Sequence, residues 1–254
     1  MRFSANLGFL WADRPLPDAI RAAAAAGFDA VECHWPYDTP PDQVRAALTE
    51  TGLPMLGLNT RPGEGFGLAA LPGREEEARA AIDEAIAYAR ATGTQAIHVM
   101  AGIAAGPQAR DAFIANLRHA CAAAQGLIFL IEPLNTRDTP GYFLTSTDQA
   151  RAIIEEVNHP ALRLMFDCYH MQIMEGDVAG RLAALLPLIG HVQIAAVPDR
   201  GAPDHGDLDY ARVFATLARL GYDRPLGAEY KVTGATEASL GWLARARSQP
   251  PMPE

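Results

Sequence analysis

The chain has 254 residues, 49% of them hydrophobic and 20% charged, the make-up of a globular protein with a sizeable core. Its formal net charge of -9 argues against nucleic acid or an anionic membrane as the main partner, because both are held by basic surface. Scattered cysteines (Cys33, Cys121, Cys168) without CxxC spacing, no uninterrupted apolar run of membrane-spanning length and no signal-peptide pattern at the N-terminus lead to the expectation of a cytoplasmic protein.

In chain order, residues 3–9 read as a first strand and 15–26 as a helix closed by Gly27. Residues 30–33 are a second strand, and 40–51 a helix stopped by Gly52. The third strand, 54–58, runs into Asn59 and a Gly-rich loop, 59–67, that is a candidate lid. A long helix over 74–92 precedes a fourth strand over 95–100, and a helix over 108–124 precedes a fifth strand over 127–131. Thr145 is the expected N-cap of a helix reaching about 157, with Asp148 at its N3 position. Strands over 162–166, 192–195 and 226–228 then alternate with helices over 177–186 and 210–220, and a last helix falls near 237–247. The Pro-rich end, about 249–254, is expected to be a flexible tail.

Short apolar strands between helices imply a parallel sheet covered on both faces. Eight such units in roughly 250 residues close a (β/α)8 TIM barrel, so the expected α/β architecture is one domain over 1–254. An open doubly wound sheet is the alternative. It is disfavoured because the turn after the first strand, Gly8-Phe9-Leu10-Trp11, has no GxGxxG.

Barrels collect catalytic groups at the C-terminal ends of their strands. Glu32, Asn59, Glu132, Asp167, Gln193 and Glu229 stand at such ends. Any one of them reads equally well as a polar stop that caps the next helix. Three acids on neighbouring strands together with Gln193 read better as one convergent site, since packed carboxylates repel unless a cation lies among them. All-oxygen donors from Glu132, Asp167, Gln193 and Glu229 favour Mg2+ or Mn2+ over zinc or copper. His170, three residues past Asp167, can face the same mouth and polarise a carbonyl, or serve as a structural histidine. His98, inside an apolar run, reads as a satisfied interior histidine, and His205 as exposed. Arg200 and Lys231 are candidates for holding an anionic group, although a lone basic loop residue is usually solvated. No Ser/His/Asp or Cys/His arrangement stands out.

The stretches Ile131-Glu132-Pro133-Leu134-Asn135, Phe166-Asp167-Cys168-Tyr169-His170-Met171-Gln172, Gly190-His191-Val192-Gln193-Ile194-Ala195 and Glu229-Tyr230-Lys231 resemble the hydroxypyruvate isomerase family of the xylose-isomerase-like TIM barrels. Asn59-Thr60, residues 67–74 and residues 237–243 extend the resemblance over nearly the whole chain. It implies that Glu132 and Glu229 are the catalytic pair, that Glu132, Asp167, Gln193 and Glu229 can hold a divalent metal, and that His170 and Arg200 face the substrate. Asp207 stands where that family is expected to have Glu, and Gln193 where ketose 3-epimerases more often have His.

The expected activity is an aldose-ketose type isomerisation of a small hydroxy/oxo acid, hydroxypyruvate to tartronate semialdehyde (2-hydroxy-3-oxopropanoate). Glu132 and Glu229 move a proton through an enediolate, His170, Arg200, Asn59 and Lys231 bind the substrate, and Mg2+ or Mn2+ assists, with its strict requirement left open. A 2-oxo-tetronate isomerase or a ketose 3-epimerase would use the same site. A metal-dependent phosphodiesterase on this barrel wants clustered histidines and a basic face, and a non-catalytic sugar-acid binder has no need of paired glutamates. The expected partner is a small sugar acid, and a homo-oligomer is left open.

Overall fold

Strand and helix alternate because each short apolar run is followed by a helix whose own apolar face needs covering. The computed structural model describes residues 1–248, so the proposed tail at 249–254 lies outside the described residues. The strands are β1 (Phe3–Asn6), β2 (Ala30–Glu32), β3 (Gly57–Asn59), β4 (Ala96–His98), β5 (Ile128–Ile131), β6 (Leu162–Asp167), β7 (Ile189–Ile194) and β8 (Leu226–Ala228). The helices are α1 (Leu16–Ala25), α2 (Pro41–Thr51), α3 (Glu75–Thr92), α4 (Pro107–Ala123), α5 (Thr147–Val157), α6 (Cys168–Met174), α7 (Val178–Leu185), α8 (Tyr210–Arg219) and α9 (Gly241–Ser248).

All strand pairs are parallel, in the order β2-β1-β8-β7-β6-β5-β4-β3. The two ends of that sheet meet at a parallel bridge between Val31 and Met55. Backbone bonds from Val31 N to Pro54 O (3.0 Å), Leu56 N to Val31 O (2.8 Å) and Cys33 N to Gly57 O (3.1 Å) complete the cylinder. The chain is a (β/α)8 TIM barrel.

Three local departures from the sequence expectation matter. β1 stops at Asn6 rather than running to Phe9, because the Phe9 and Leu10 N–H groups turn back to donate to Asn6 O. The cap of α5 is Ser146, not Thr145: the Ser146 hydroxyl accepts from Gln149 N, while Thr145 N donates to Gln149 Oε1. The extra helix α6 is hidden in the sequence because its buried residues, Cys168 to Met171, follow directly on Asp167 with no Gly, Pro or loop between strand and helix.

The main core fills the space between strands and helices. Phe3 of β1, for example, meets Phe214 of α8 and Trp242 of α9 edge-on at 5.6 and 5.1 Å between ring centroids. Burying each such side chain contributes about 1.5–3 kcal/mol. Inside the cylinder the packing is different. Ala96, Leu130 and Met165 form a separate small apolar cluster. Beside it a cavity of about 310 Å³ runs from the N-terminal strand ends, at Arg2 and Gln95, up to Asn6, Glu32, His98 and Gln193. Among the described residues no helix is long and apolar enough to cross a membrane.

Candidate active site

β5 delivers Glu132 because its four residues, Ile-Phe-Leu-Ile, are buried or nearly so and the chain turns polar only at the strand's end. β6 ends on Asp167, which pairs in register with Gln193 of β7. Gln193 pairs in turn with Gly227 of β8, and the Glu229 N–H donates to Ile194 O. Four far-apart segments thus bring Glu132, Asp167, Gln193 and Glu229 to the same end of the cylinder, all buried.

Glu229 is fully engaged. Its Oε1 accepts from Asn6 Nδ2 at 2.8 Å, from Gln193 Nε2 at 3.2 Å and faces His34 Nε2 at 2.9 Å. Its Oε2 accepts from Arg200 Nη2 at 2.5 Å. Burial pushes this carboxyl up, but Arg200 and the His34 hydrogen bond outweigh it and hold Glu229 down at about 2. Arg200 is itself mostly buried, backed by the rings of Phe9 and Tyr169 at 4.9 and 5.1 Å. Its backbone sits at φ 57°, so the loop folds sharply to bring the guanidinium inward.

The other acids are left open. Glu132 Oε1, Asp167 Oδ2 and Gln193 Oε1 are buried without a hydrogen-bond partner. Asp167 does cap α6, its Oδ1 accepting from Tyr169 N at 2.8 Å, so the polar-stop reading holds for one of its two oxygens. Burial, and for Glu132 the neighbouring acids Glu229 and Asp167, push Glu132 well above the usual range. Asp167 is pushed up to about 7 by burial, which Arg200 only partly offsets.

Between these acids stands His170, buried and pushed down to about 3 by burial and by Arg200. Its tautomer follows from its partners. Asn135 N donates to His170 Nδ1 at 3.0 Å, and Asn135 Nδ2 lies 2.7 Å from the same nitrogen. Asn135 Oδ1 is occupied by the N–H groups of Arg137 and Asp138, which fixes the amide with its NH2 toward the histidine. The neutral ring therefore carries its proton on Nε2, 3.6 Å from Asp167 Oδ2 and 3.8 Å from Glu132 Oε1.

Ligating atoms of Glu132, Asp167 and His170 lie within 4.8 Å of one another. With Nδ1 acting as acceptor, His170 offers an N–H rather than a lone pair, so the donors that fit a cation are the orphaned oxygens of Glu132, Asp167 and Gln193. Three acids, Glu132, Asp167 and Glu229, face one guanidinium, so ionising all three leaves two negative charges unbalanced, the state that a cation would favour. A hard divalent ion such as Mg2+ or Mn2+ suits both the donor type and that charge.

The remaining expected residues are more dispersed. Asn59 ends β3, half-buried on the internal cavity, with its carbonyl accepting from the Tyr37 hydroxyl. Lys231 is exposed, its N–H donating to Arg200 O at 2.7 Å. His205 is exposed between Asp199 and Asp204. His98 is interior as expected but not satisfied: neither ring nitrogen has a hydrogen-bond partner, and Nδ1 lies 3.6 Å from Glu132 Oε2. The 59–67 loop is pinned at Gly67, where a Cβ would come within 2.2 Å of Met100 O. Glu32 reaches the site only indirectly, its carboxyl accepting from Asn6 Nδ2 (3.1 Å) and Gln193 Nε2 (2.8 Å) and meeting His191 Nε2 (2.7 Å).

Sequence reasoning misses Asn6 and His34, both of which grip Glu229. Asn6 is masked by the overlong first strand. His34 follows Glu32 by two residues, and that strand-end spacing is the available signal.

The xylose isomerase-like TIM barrel family model matches residues 20–246 of the chain. The 2-oxo-tetronate isomerase of Cupriavidus necator is 46% identical over 95% of this chain and 97% of its own. The hydroxypyruvate isomerase of Escherichia coli is 36% identical over 96% and 98%. A crystal structure from Brucella melitensis, described as an AP endonuclease of family 2, superposes with a TM-score of 0.92 at 39% identity, covering 96% of this chain and 98% of that one.

Proposed function

The chain belongs to the xylose isomerase-like TIM barrel family and is an isomerase like its curated relatives, and from that premise we propose that it shifts a carbonyl between neighbouring carbons of a short hydroxy/oxo acid. The observation that carries the proposal is a chain of contacts, Glu229–Arg200–Asp167–His170–Glu132, in which no link exceeds 3.8 Å. Two glutamates of opposite proton affinity therefore share one small mouth with a neutral N–H donor and a guanidinium.

The reaction we assign is hydroxypyruvate to 2-hydroxy-3-oxopropanoate. A proton leaves C3, an enediolate forms across C2 and C3, and a proton returns to C2 while the hydroxyl proton moves from the C3 oxygen to the C2 oxygen. Glu132, kept proton-avid by burial, has in its ionised form the basicity that a C–H step needs. Glu229, oriented by Asn6, Gln193, His34 and Arg200, handles the proton on the other side of the planar intermediate. His170 donates its Nε2–H to the carbonyl oxygen, and its depressed pKa keeps the ring neutral so that it donates without becoming an acid. Arg200 lends charge to the substrate carboxylate while keeping Glu229 in place, and Asn59 and Lys231 are assigned to substrate binding as well. When bound, a divalent cation held by Glu132, Asp167 and Gln193, with Glu229 beside it, stabilises developing negative charge on the substrate oxygens. The cytoplasm is the compartment that suits such chemistry.

A second reading, a 2-oxo-tetronate as substrate, is favoured by the name of the 46% identical relative. A panel of hydroxypyruvate, tartronate semialdehyde, 2-oxo-tetronates and free ketoses, each with and without EDTA, decides the matter. Turnover of a short oxo acid that falls with EDTA and returns with Mn2+ is expected. Turnover confined to free ketoses would overturn the assignment.

A further inference from the structure

We propose that Glu32, a residue with no part in the proton transfer itself, is a positioning residue that sets which way the Gln193 amide faces. The inference rests on the reading above, in which the Gln193 carbonyl oxygen is one of the donors to a divalent cation.

A glutamine side chain can be turned over at little intrinsic cost, so its orientation is decided by the groups around it. Here the NH2 end has two acceptors, Glu32 Oε1 at 2.8 Å and Glu229 Oε1 at 3.2 Å. Both amide hydrogens are thereby used, and Oε1 is left buried without a partner, on the residue that pairs in register with Asp167. Turned the other way, the carbonyl oxygen would sit against two carboxyl oxygens. Asn6 repeats the arrangement from β1: its Nδ2 donates to Glu32 and to Glu229, and its Oδ1 accepts from Gly8 N. The two amides thus bridge the two carboxyl groups, and Glu32 acts as the fixed corner.

Two features hold that corner. His191 Nε2 lies 2.7 Å from Glu32 Oε2, away from the amides. Gly227 supplies the space, since a Cβ there would lie 2.5 Å from Glu32 Oε1 and 2.8 Å from His191 Nε2. The internal cavity reaches Glu32, His191 and Gln193 from the N-terminal side, so this corner is the floor of the site rather than part of its mouth.

The test uses the full chain, stripped of metal, with Mn2+ affinity measured by calorimetry and steady-state kinetics measured alongside. Glu32→Leu removes the acceptor, and Mn2+ affinity should weaken 10–100-fold with a parallel fall in kcat. Glu32→Gln keeps an acceptor oxygen and should recover much of that loss, a rescue that a purely space-filling role would not show. Gly227→Ala, which displaces Glu32 without replacing it, should weaken Mn2+ binding as the Leu variant does, and it decides the question if Glu32→Leu does not fold. A folded Glu32→Leu protein with wild-type Mn2+ affinity, or a Gln variant no better than Leu, overturns the inference. If the wild-type chain takes up no Mn2+, the metal reading falls and this inference falls with it. Wild-type uptake unchanged in the Leu variant sinks this inference alone.

Discussion

Glu132 and Glu229 occupy corresponding strand ends of one barrel, yet they sit in opposite conditions. Glu229 has both carboxyl oxygens engaged, Oε1 by two amides and a histidine and Oε2 by an arginine. Glu132 has no hydrogen bond on Oε1 and only His98 and His170 at 3.6 and 3.8 Å. One side of the mouth is finished by the protein. The other is left for a cation and a substrate to finish, and that contrast separates a group held for orientation from groups held in readiness.

Exchanging either acid for its amide tests the contrast most severely. Glu132→Gln and Glu229→Gln should each lower kcat by about 10²–10⁴-fold, the usual worth of a general acid–base group. Their stabilities should diverge. Glu132→Gln removes a buried acid whose Oε1 has no hydrogen-bond partner and whose charge its acidic neighbours oppose, so melting under EDTA should occur at or above the wild-type temperature. Glu229→Gln sets an NH2 against either the two amide donors on the Oε1 side or the Arg200 guanidinium on the Oε2 side and takes the carboxylate away from that buried guanidinium, a loss on the order of 3–5 kcal/mol. Equal melting shifts for the two variants would erase the distinction.

The next test removes the group that makes Glu229 different. With Arg200→Gln, burial is no longer outweighed, so the Glu229 carboxyl rises from about 2. A folded-state pKa below the unfolded value of about 4.3 gives stability that is present above that value and lost as pH falls through about 2. The variant should forfeit that contribution, roughly 1.5–3 kcal/mol for hydrogen bonds to a charged group. The acid limb of its pH–rate profile should move to higher pH, because Asp167 loses the same restraining charge. Urea midpoints at pH 4 and 7, together with the rate profile, check both parts. An unmoved acid limb would mean that Arg200 does not set the mouth's protonation.

The finished half is the harder one to read from sequence. Strand-end acids announce themselves, because an apolar run such as Ile128–Ile131 that stops on Glu132 places a carboxylate where a barrel opens, and eight such runs fix the barrel. The partners of Glu229 carry no such mark. Asn6 lies 223 residues away in sequence and His34 lies 195, and only closure of the cylinder between β1 and β8 brings them to it. Arg200 is visible as a basic loop residue, but its inward turn depends on a left-handed backbone and on the rings of Phe9 and Tyr169. The tautomer of His170 is likewise beyond reach, since it is set by Asn135, 35 residues earlier.

The smallest effect concerns the outer face of the loop that carries Arg200. There His205 meets Asp199 and Asp204, at 2.9 and 3.1 Å, and the hydrogen bonds with Asp199 and then Asp204 raise its pKa above the ordinary value. A raised folded-state pKa gives stability that is fully present below about pH 6.5 and lost as pH climbs through the raised value. Because the ring is about half exposed (49%), solvent screening limits the contribution to that of a surface pair, under about 1 kcal/mol. His205→Ala should therefore lower the urea midpoint slightly at pH 6 in low salt, with no loss at pH 9 or in about 1 M salt, where surface charges are screened within about 3 Å. If the deficit persisted at pH 9, His205 would hold the loop by packing rather than by charge. The Arg200 side of the mouth would then owe its order to the loop's shape, and not to the acids that flank it.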